Sequence, residues 1–173
     1  MYSARTECCI VCAVLIAAIV LPVAATAADD IVRIGTYDNR AIAIAYARSS
    51  YLPHAEKTQE FDRAEAAGDT VRMQEISDEM EALQRQLHRQ GFSRAPVDDL
   101  LAHVAFRLPE VAEATGVDAI VWICDYAGEG VEVVDVTMDL VALYSPTEET
   151  IEMCRTIGDH EPVSLDELDH EHN

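Results

Sequence analysis

The sequence predicts an α+β fold, in which a small sheet of about three strands carries a projecting α-helical hairpin. Three short runs rich in Ile and Val, at 31–37, 117–123 and 131–136, have the length and composition of strands. Between the first two runs, residues 54–90 carry apolar side chains at heptad spacing next to a Gly-Asp turn signal. The elements run from a strand and a helix, through the helical hairpin, to a closing pair of strands.

The first strand leads directly into a helix. Ile and Val alternate with smaller or polar residues over Ile31–Tyr37, and Asp38 or Asn39 is suited to cap a helix over 40–50. Pro53 interrupts this helix, because proline lacks a backbone donor and crowds the preceding turn.

Residues 54–90 are predicted to form a helical hairpin that closes at Gly68. The first arm is rich in helix formers, Gly68 suits the left-handed closing position, and Asp69 can cap the second arm. The second arm has apolar residues spaced three, four, three and four apart: Met73, Ile76, Met80, Leu83 and Leu87. We call these five residues the seam. They are the candidate functional residues, because such a stripe either packs between the arms or contacts a bound protein.

The next segment is predicted to complete the sheet. A helix over 96–115, kinked by Pro109, precedes a strand at 117–123 whose apolar composition is typical of burial on both faces. The turn Gly128-Glu129-Gly130 then returns the chain as the strand 131–136.

Two helices and an acidic tail are predicted after the last strand. A short helix covers 138–143, and a final helix, opened by the capping box at 145–148, stops at Gly158. Residues 159–173 hold six acidic residues and three of the six histidines, without Lys or Arg. We expect this tail to be disordered, so that the folded domain spans 28–158.

The first 27 residues are predicted to be a cleaved signal peptide. Arg5 precedes an apolar run from Cys8 to Val23, and Ala25-Thr26-Ala27 offers the small residues of a cleavage site. The run falls short of the roughly 20 residues that span a bilayer, so we expect no stable membrane insertion after cleavage. The protein is therefore predicted to be periplasmic or secreted. In such a compartment Cys124 and Cys154 either pair or remain two buried apolar side chains.

The charge balance excludes two classes of partner. Against 12 Lys and Arg stand 32 Asp and Glu, which gives a net charge of −20. Nucleic acids and anionic lipid headgroups both require a basic surface, so neither is an expected partner.

No motif in the sequence predicts catalysis, a cofactor or a metal. Asp38 is interpreted as a helix cap and Trp122 as a packing residue of a core strand. The histidines on predicted helices have no nucleophile motif beside them, and the spacing of those in the tail fits no metal cage: His54, His88 and His103 on helices, His160, His170 and His172 in the tail. We therefore predict that the protein is not an enzyme and has no catalytic, cofactor-binding or metal-binding residues.

Three segments resemble a known family. They are Ile34-Gly35-Thr36-Tyr37-Asp38-Asn39-Arg40-Ala41-Ile42, the stretch Val111–Val121, and Val134-Asp135-Val136-Thr137-Met138-Asp139-Leu140-Val141. In this order, and with a helical hairpin between the first two, they are similar to the Skp/OmpH family of periplasmic chaperones. The resemblance covers most of residues 31–143.

The resemblance implies a homotrimer with a β-rich body and helical arms. The arms would hold unfolded envelope proteins, which is the activity of a holdase chaperone. The alternative is a non-catalytic secreted or envelope protein that keeps this fold for self-association and interaction, without chaperone activity.

Overall fold

The computed structural model describes residues 31–171 and shows a mixed α+β fold, as the sequence predicts. Within that range there are three strands, eight α-helices and one 3-10 turn. In chain order they are β1 (Val32–Thr36), α1 (Asn39–Ala47), α2 (His54–Ala67), α3 (Thr70–Phe92), α4 (Asp98–Ala102), the 3-10 turn (Ala105–Arg107), α5 (Leu108–Thr115), β2 (Ala119–Val121), β3 (Val131–Asp135), α6 (Thr137–Ala142), α7 (Glu148–Ile157) and α8 (Leu165–Glu171). The predicted signal peptide lies outside the described residues.

The three strands form one parallel sheet in the order β2-β1-β3. Ile34 of β1 stands opposite Ala119 of β2 and Val133 of β3. The predicted return of 131–136 onto 117–123 is therefore wrong, because β2 and β3 lie on opposite sides of β1 and the loop between them crosses the sheet. The strand 117–123 is shortened to three residues at an edge, and its side chains are half-buried or exposed rather than buried on both faces.

One face of the sheet packs against the helices. Gly35 lies on this face, where an added Cβ would stand 3.1 Å from both Cγ atoms of Val136 and 3.3 Å from Val117 Cγ2. Ile120 and Val134, its register partners, also pack against the core. Only a glycine permits the sheet and the helices to approach so closely.

The other face is apolar and largely open. Successive strand side chains point to opposite sides, and strand neighbours in register share a face. The open sheet face therefore consists of six apolar residues, Val32, Ile34, Ala119, Val121, Val131 and Val133, with Thr36 and Asp135 at the end where the strands stop. Val32 is 46% exposed and Val133 44% exposed in the single chain, and Ile34, Val121 and Val131 are half-buried.

The core is centred on α1. Asp38 caps this helix by accepting a hydrogen bond from the Arg40 backbone N–H at 2.9 Å, as the sequence predicts. Helix α1 packs against α3, α4, α6 and α7. The most deeply buried members of this core are Ala41, Ile42, Ala43, Ala45, Val97, Leu100, Val104, Val136, Leu140 and Val141.

The helical hairpin is present and closes where predicted. Gly68 ends α2 with φ of 68°, a left-handed conformation that costs glycine little, and the Asp69 side chain caps α3 through the Arg72 backbone N–H at 3.0 Å. The last turns of α3 pack on α1, where Asn39 Nδ2 donates to the carbonyls of Gln90 and Ser93 at 2.9 and 2.8 Å. The hairpin is thus anchored to the body through its second arm.

The predicted helix over 96–115 is broken into α4, the 3-10 turn and α5. Pro109 lies in the first turn of α5 instead of kinking a continuous helix. A proline ring clashes with the carbonyl four residues earlier, so the chain ends one helix and starts another.

The predicted disorder of 159–173 is wrong for the part that the structure describes. Val163 pairs with Ser93 in a parallel bridge, and its backbone N–H donates to the Phe92 carbonyl at 2.9 Å. Leu168 of α8 is only 7% exposed. Two apolar side chains and one backbone pairing therefore order a segment whose charge alone favours disorder. Among the described residues, no helix has the length and apolar character to cross a membrane.

Candidate functional site

The five seam residues lie on one side of α3, but they are not equally buried. Ile76 is 2% exposed, whereas Met73, Met80, Leu83 and Leu87 are half-buried. A closed coiled-coil seam would bury all of these positions between the arms. The hairpin therefore covers its seam only in part.

The uncovered part of the seam lines an apolar groove between the arms. This cavity has a volume of about 600 Å³, and its apolar walls are Leu52, Phe61, Ile76, Met80, Leu83 and Leu87. Met73, nearer the tip of the hairpin, is the one seam residue that does not line it.

A second apolar cavity, of about 640 Å³, continues from the first towards the body. It lies between α1, α3 and α7, and its apolar walls include Ala43, Ile44, Leu87, Phe92, Met153 and Ile157. Leu87 and His88 line both cavities, so the two form one groove along α3, which we call the α3 groove.

The α3 groove has an acidic rim. Glu81 borders the cavity between the arms, and Glu149 and Glu152 border the cavity at the body. Each of these carboxylates has an arginine partner, Arg85, Arg48 and Arg155 respectively, and Lys57 also lines the cavity between the arms. The net charge of −20 of the whole chain, more than the rim itself, therefore disfavours an acidic ligand.

Ion pairs across the arms hold the groove in shape. Lys57 of α2 lies 2.5 Å from Glu79 of α3, and Arg72 of α3 lies 3.1 Å from Glu60 of α2. The hydrogen bond from Lys57 lowers the pKa values of both Glu60 and Glu79. These are exposed pairs, so they fix the register of the arms more than they stabilise the fold.

A different cavity, which the sequence did not predict, lies where the parallel strands end. The strand order brings the carboxyl ends of β1, β2 and β3 to one edge, and the side chains there enclose about 640 Å³. We call this cavity the strand-end crevice. Its walls include Tyr37, Asp38, Arg40, Arg94, Trp122, Asp135 and Arg155. Trp122, interpreted from the sequence as a packing residue, is half-buried and lines the crevice instead.

The two cysteines of the described region are free thiols. Cys154 is 3% exposed, and its Sγ lies 3.3 Å from the Ala41 carbonyl, which agrees with the alternative of a buried apolar side chain. Cys124 is half-buried, and its Sγ lies 3.3 Å from the Tyr126 carbonyl.

Two of the three histidines predicted on helices, His54 and His88, line the same cavity between the arms. His88 borders the α3 groove, while His103 lies against Tyr46 and Tyr51 with ring centroids 5.2 and 5.7 Å apart. Within residues 31–171, no three His, Cys, Asp or Glu side chains are grouped so that they could hold a metal ion.

Comparisons of the chain with protein-family models, curated proteins and solved structures find no match. The geometry of the α3 groove, the open sheet face and the strand-end crevice therefore carries the functional argument.

Proposed function

We propose that the protein is an exported, Skp/OmpH-like holdase that binds apolar segments of unfolded envelope proteins in the α3 groove. The observation that carries this proposal is the incomplete burial of the seam: Met80, Leu83 and Leu87 line a long apolar channel that the hairpin leaves open. Exposed apolar grooves of this size on one helix are characteristic of polypeptide-binding surfaces.

The groove also indicates which clients would bind. An extended or helical segment with a few large apolar side chains fits its walls, and the net charge of −20 attracts Lys or Arg on either side of that segment. Unfolded polypeptides expose such segments transiently, and covering them prevents their aggregation. The proposed activity needs no catalytic group and no cofactor.

The open sheet face supports self-association, and the family resemblance suggests a trimer. Parallel sheets are almost always covered on both faces, whereas Val32 and Val133 are exposed on the face opposite the helices. Both outer strands of the sheet also have a free edge within the described residues. A second and third copy of the chain would bury this face in a common body and leave the hairpins free to hold a client.

Protection of an unfolded outer-membrane protein from aggregation, followed by light scattering after dilution from urea, tests the holdase function. The wild-type protein should slow aggregation, and a Met80→Ser/Leu83→Ser variant should lose most of this effect. Val71→Ser is the matched control, because Val71 is an apolar α3 residue that is 69% exposed and does not line the groove. Full protection by the double variant would exclude the groove as the client site, and no protection by the wild type would exclude the holdase.

The non-chaperone alternative is a secreted or envelope protein that uses the fold only for self-association and interaction. The open sheet face favours it independently of the groove. Under this alternative the protein is an oligomer that gives no protection to any unfolded client, and Val133→Lys separates the subunits because it buries an unpaired charge in the contact.

A further inference from the structure

We propose that the strand-end crevice binds a small ligand through an oxyanion group, a carboxylate or a phosphate, with Arg94 and Arg155 as its contacts. This inference is independent of the α3 groove and of client binding, because the crevice and the groove have no lining residue in common.

The position of the crevice follows from the topology. In open parallel sheets, ligands bind outside the carboxyl ends of the strands, because the loops that leave neighbouring strands diverge there and create a cleft. Here Thr36 ends β1, Trp122 follows β2 and Asp135 ends β3, and all three line the crevice. Its volume of about 640 Å³ is adequate for a small molecule.

The acidic side chains of the crevice are occupied by internal partners. Asp38 accepts hydrogen bonds from Arg40 Nη2 at 2.6 Å and from Arg40 Nε at 3.0 Å, and Arg40 Nη1 donates to the His160 carbonyl at 2.6 Å. Asp135 accepts from the backbone N–H of Thr137 at 2.9 Å and from its hydroxyl at 2.5 Å. Arg40 is 5% exposed, so the Asp38–Arg40 pair is a fixed, neutral part of the wall.

The remaining two arginines lack close carboxylate partners. Within residues 31–171, Arg94 makes no ion pair or side-chain hydrogen bond, although the chain has far more acidic than basic residues. Arg155 has only a long contact of 3.9 Å to Glu152, with both side chains well exposed. Besides the Asp38–Arg40 pair, the crevice is lined by these two guanidinium groups and one carboxylate, Asp135, whose hydrogen-bond partner Thr137 is neutral. Its lining therefore has an excess of one positive charge, which suits an oxyanion that a guanidinium group can bind through two parallel N–H donors.

The apolar part of the crevice should discriminate among oxyanion ligands. Trp122, Ile123 and Met138 form a wall beside the arginines, so a ligand that carries an aromatic or alkyl group next to its oxyanion should bind more tightly than the bare anion. Trp122 is the only tryptophan of the chain, so its fluorescence reports on this crevice directly.

Fluorescence titrations with four probes test the proposal: inorganic phosphate, phenyl phosphate, acetate and benzoate. We expect a saturable change in Trp122 emission. Phenyl phosphate should bind more tightly than inorganic phosphate, or benzoate more tightly than acetate. Whichever of these two chemical classes binds more tightly identifies the natural group as a phosphate or a carboxylate. Arg94→Gln and Arg155→Gln should each raise the Kd about tenfold, which is the loss of one charge-assisted pair.

Arg63→Gln is the matched control, because Arg63 is an exposed arginine of α2 whose side chain donates a hydrogen bond to the Gln59 carbonyl at 3.1 Å and does not line the crevice. Circular dichroism verifies that each variant is folded. The proposal is overturned if none of the four probes gives a saturable change up to about 10 mM. It is equally overturned if the folded Arg94→Gln and Arg155→Gln variants bind as tightly as Arg63→Gln.

Discussion

Truncation of two seam residues, Ile76→Ala and Leu83→Ala, should separate a packing role from a binding role. Each change removes three carbon atoms beyond Cβ. Ile76 is 2% exposed, so at about 0.8 kcal/mol per carbon the transfer contribution is about 2.4 kcal/mol, and the cavity that remains raises the loss to roughly 3–4 kcal/mol. Leu83 is half-buried in the wall of an open groove, so its loss should be about 1 kcal/mol.

Urea unfolding, followed by far-UV circular dichroism, measures the loss of unfolding free energy in both variants. The slope of the unfolding free energy against urea concentration checks that each variant exposes the same amount of surface on unfolding. Client protection is then measured on the same two proteins. For each kcal/mol of stability lost, Leu83→Ala should lose more client protection than Ile76→Ala. Equal destabilisation by the two changes would show that the seam is closed between the arms. The argument for a binding groove would then fail.

Three further outcomes follow from the packing. Gly35→Ala should destabilise the protein by about 1–3 kcal/mol in thermal or urea melts, because the new methyl group collides with Val136; unchanged stability would show that the sheet and helices are not in close contact. Iodoacetamide at about pH 8 should alkylate Cys124 well before Cys154, because burial raises the pKa of the Cys154 thiol to about 11. Mass spectrometry of the peptides measures the order, and earlier alkylation of Cys154 would contradict its burial. Burial, aided by the charge of Asp98, raises the pKa of Tyr37 to about 12. Between about pH 10 and 12 the native state therefore keeps a phenolic proton that the unfolded chain has lost, so the free energy of unfolding should fall as the pH rises. A Tyr37→Phe variant should show a smaller fall over the same pH range.

The hairpin could be predicted because its signals are local. Gly68 and Asp69 terminate one helix and cap the next within two residues, and the heptad spacing of the seam identifies the buried side of α3. The partial cover of the seam also had a local signal, because Phe61 is the one large apolar side chain that α2 offers in return.

The sheet illustrates the opposite case. Each strand was recognisable from its Ile and Val content, but the pairing of β1 with both β2 and β3 is a contact across more than 80 residues. A glycine-rich turn before β3 suggested a return onto β2, and nothing local distinguishes that turn from a crossover loop. The strand-end crevice depends on this pairing, so Arg94, Trp122 and Arg155 could not be associated from the sequence.

The segment after Gly158 shows where composition misleads. Its charge density favours disorder, yet Val163 pairs through its backbone beside Phe92 and Ser93, and Leu168 is buried. Two such anchors are sufficient to order the chain between them. The few apolar residues of the segment were the available signal of order, but its excess of carboxylates favoured the opposite prediction.

The molar mass of the protein in solution tests the central claim most directly, because both the holdase and the non-chaperone alternative require subunits joined through the open sheet face. Size-exclusion chromatography with multi-angle light scattering at micromolar concentration should give three times the mass of one chain, and Val133→Lys should reduce this to one. A wild-type monomer would contradict the account, since the apolar residues Val32, Ile34 and Val133 would then remain in water with no partner to cover them.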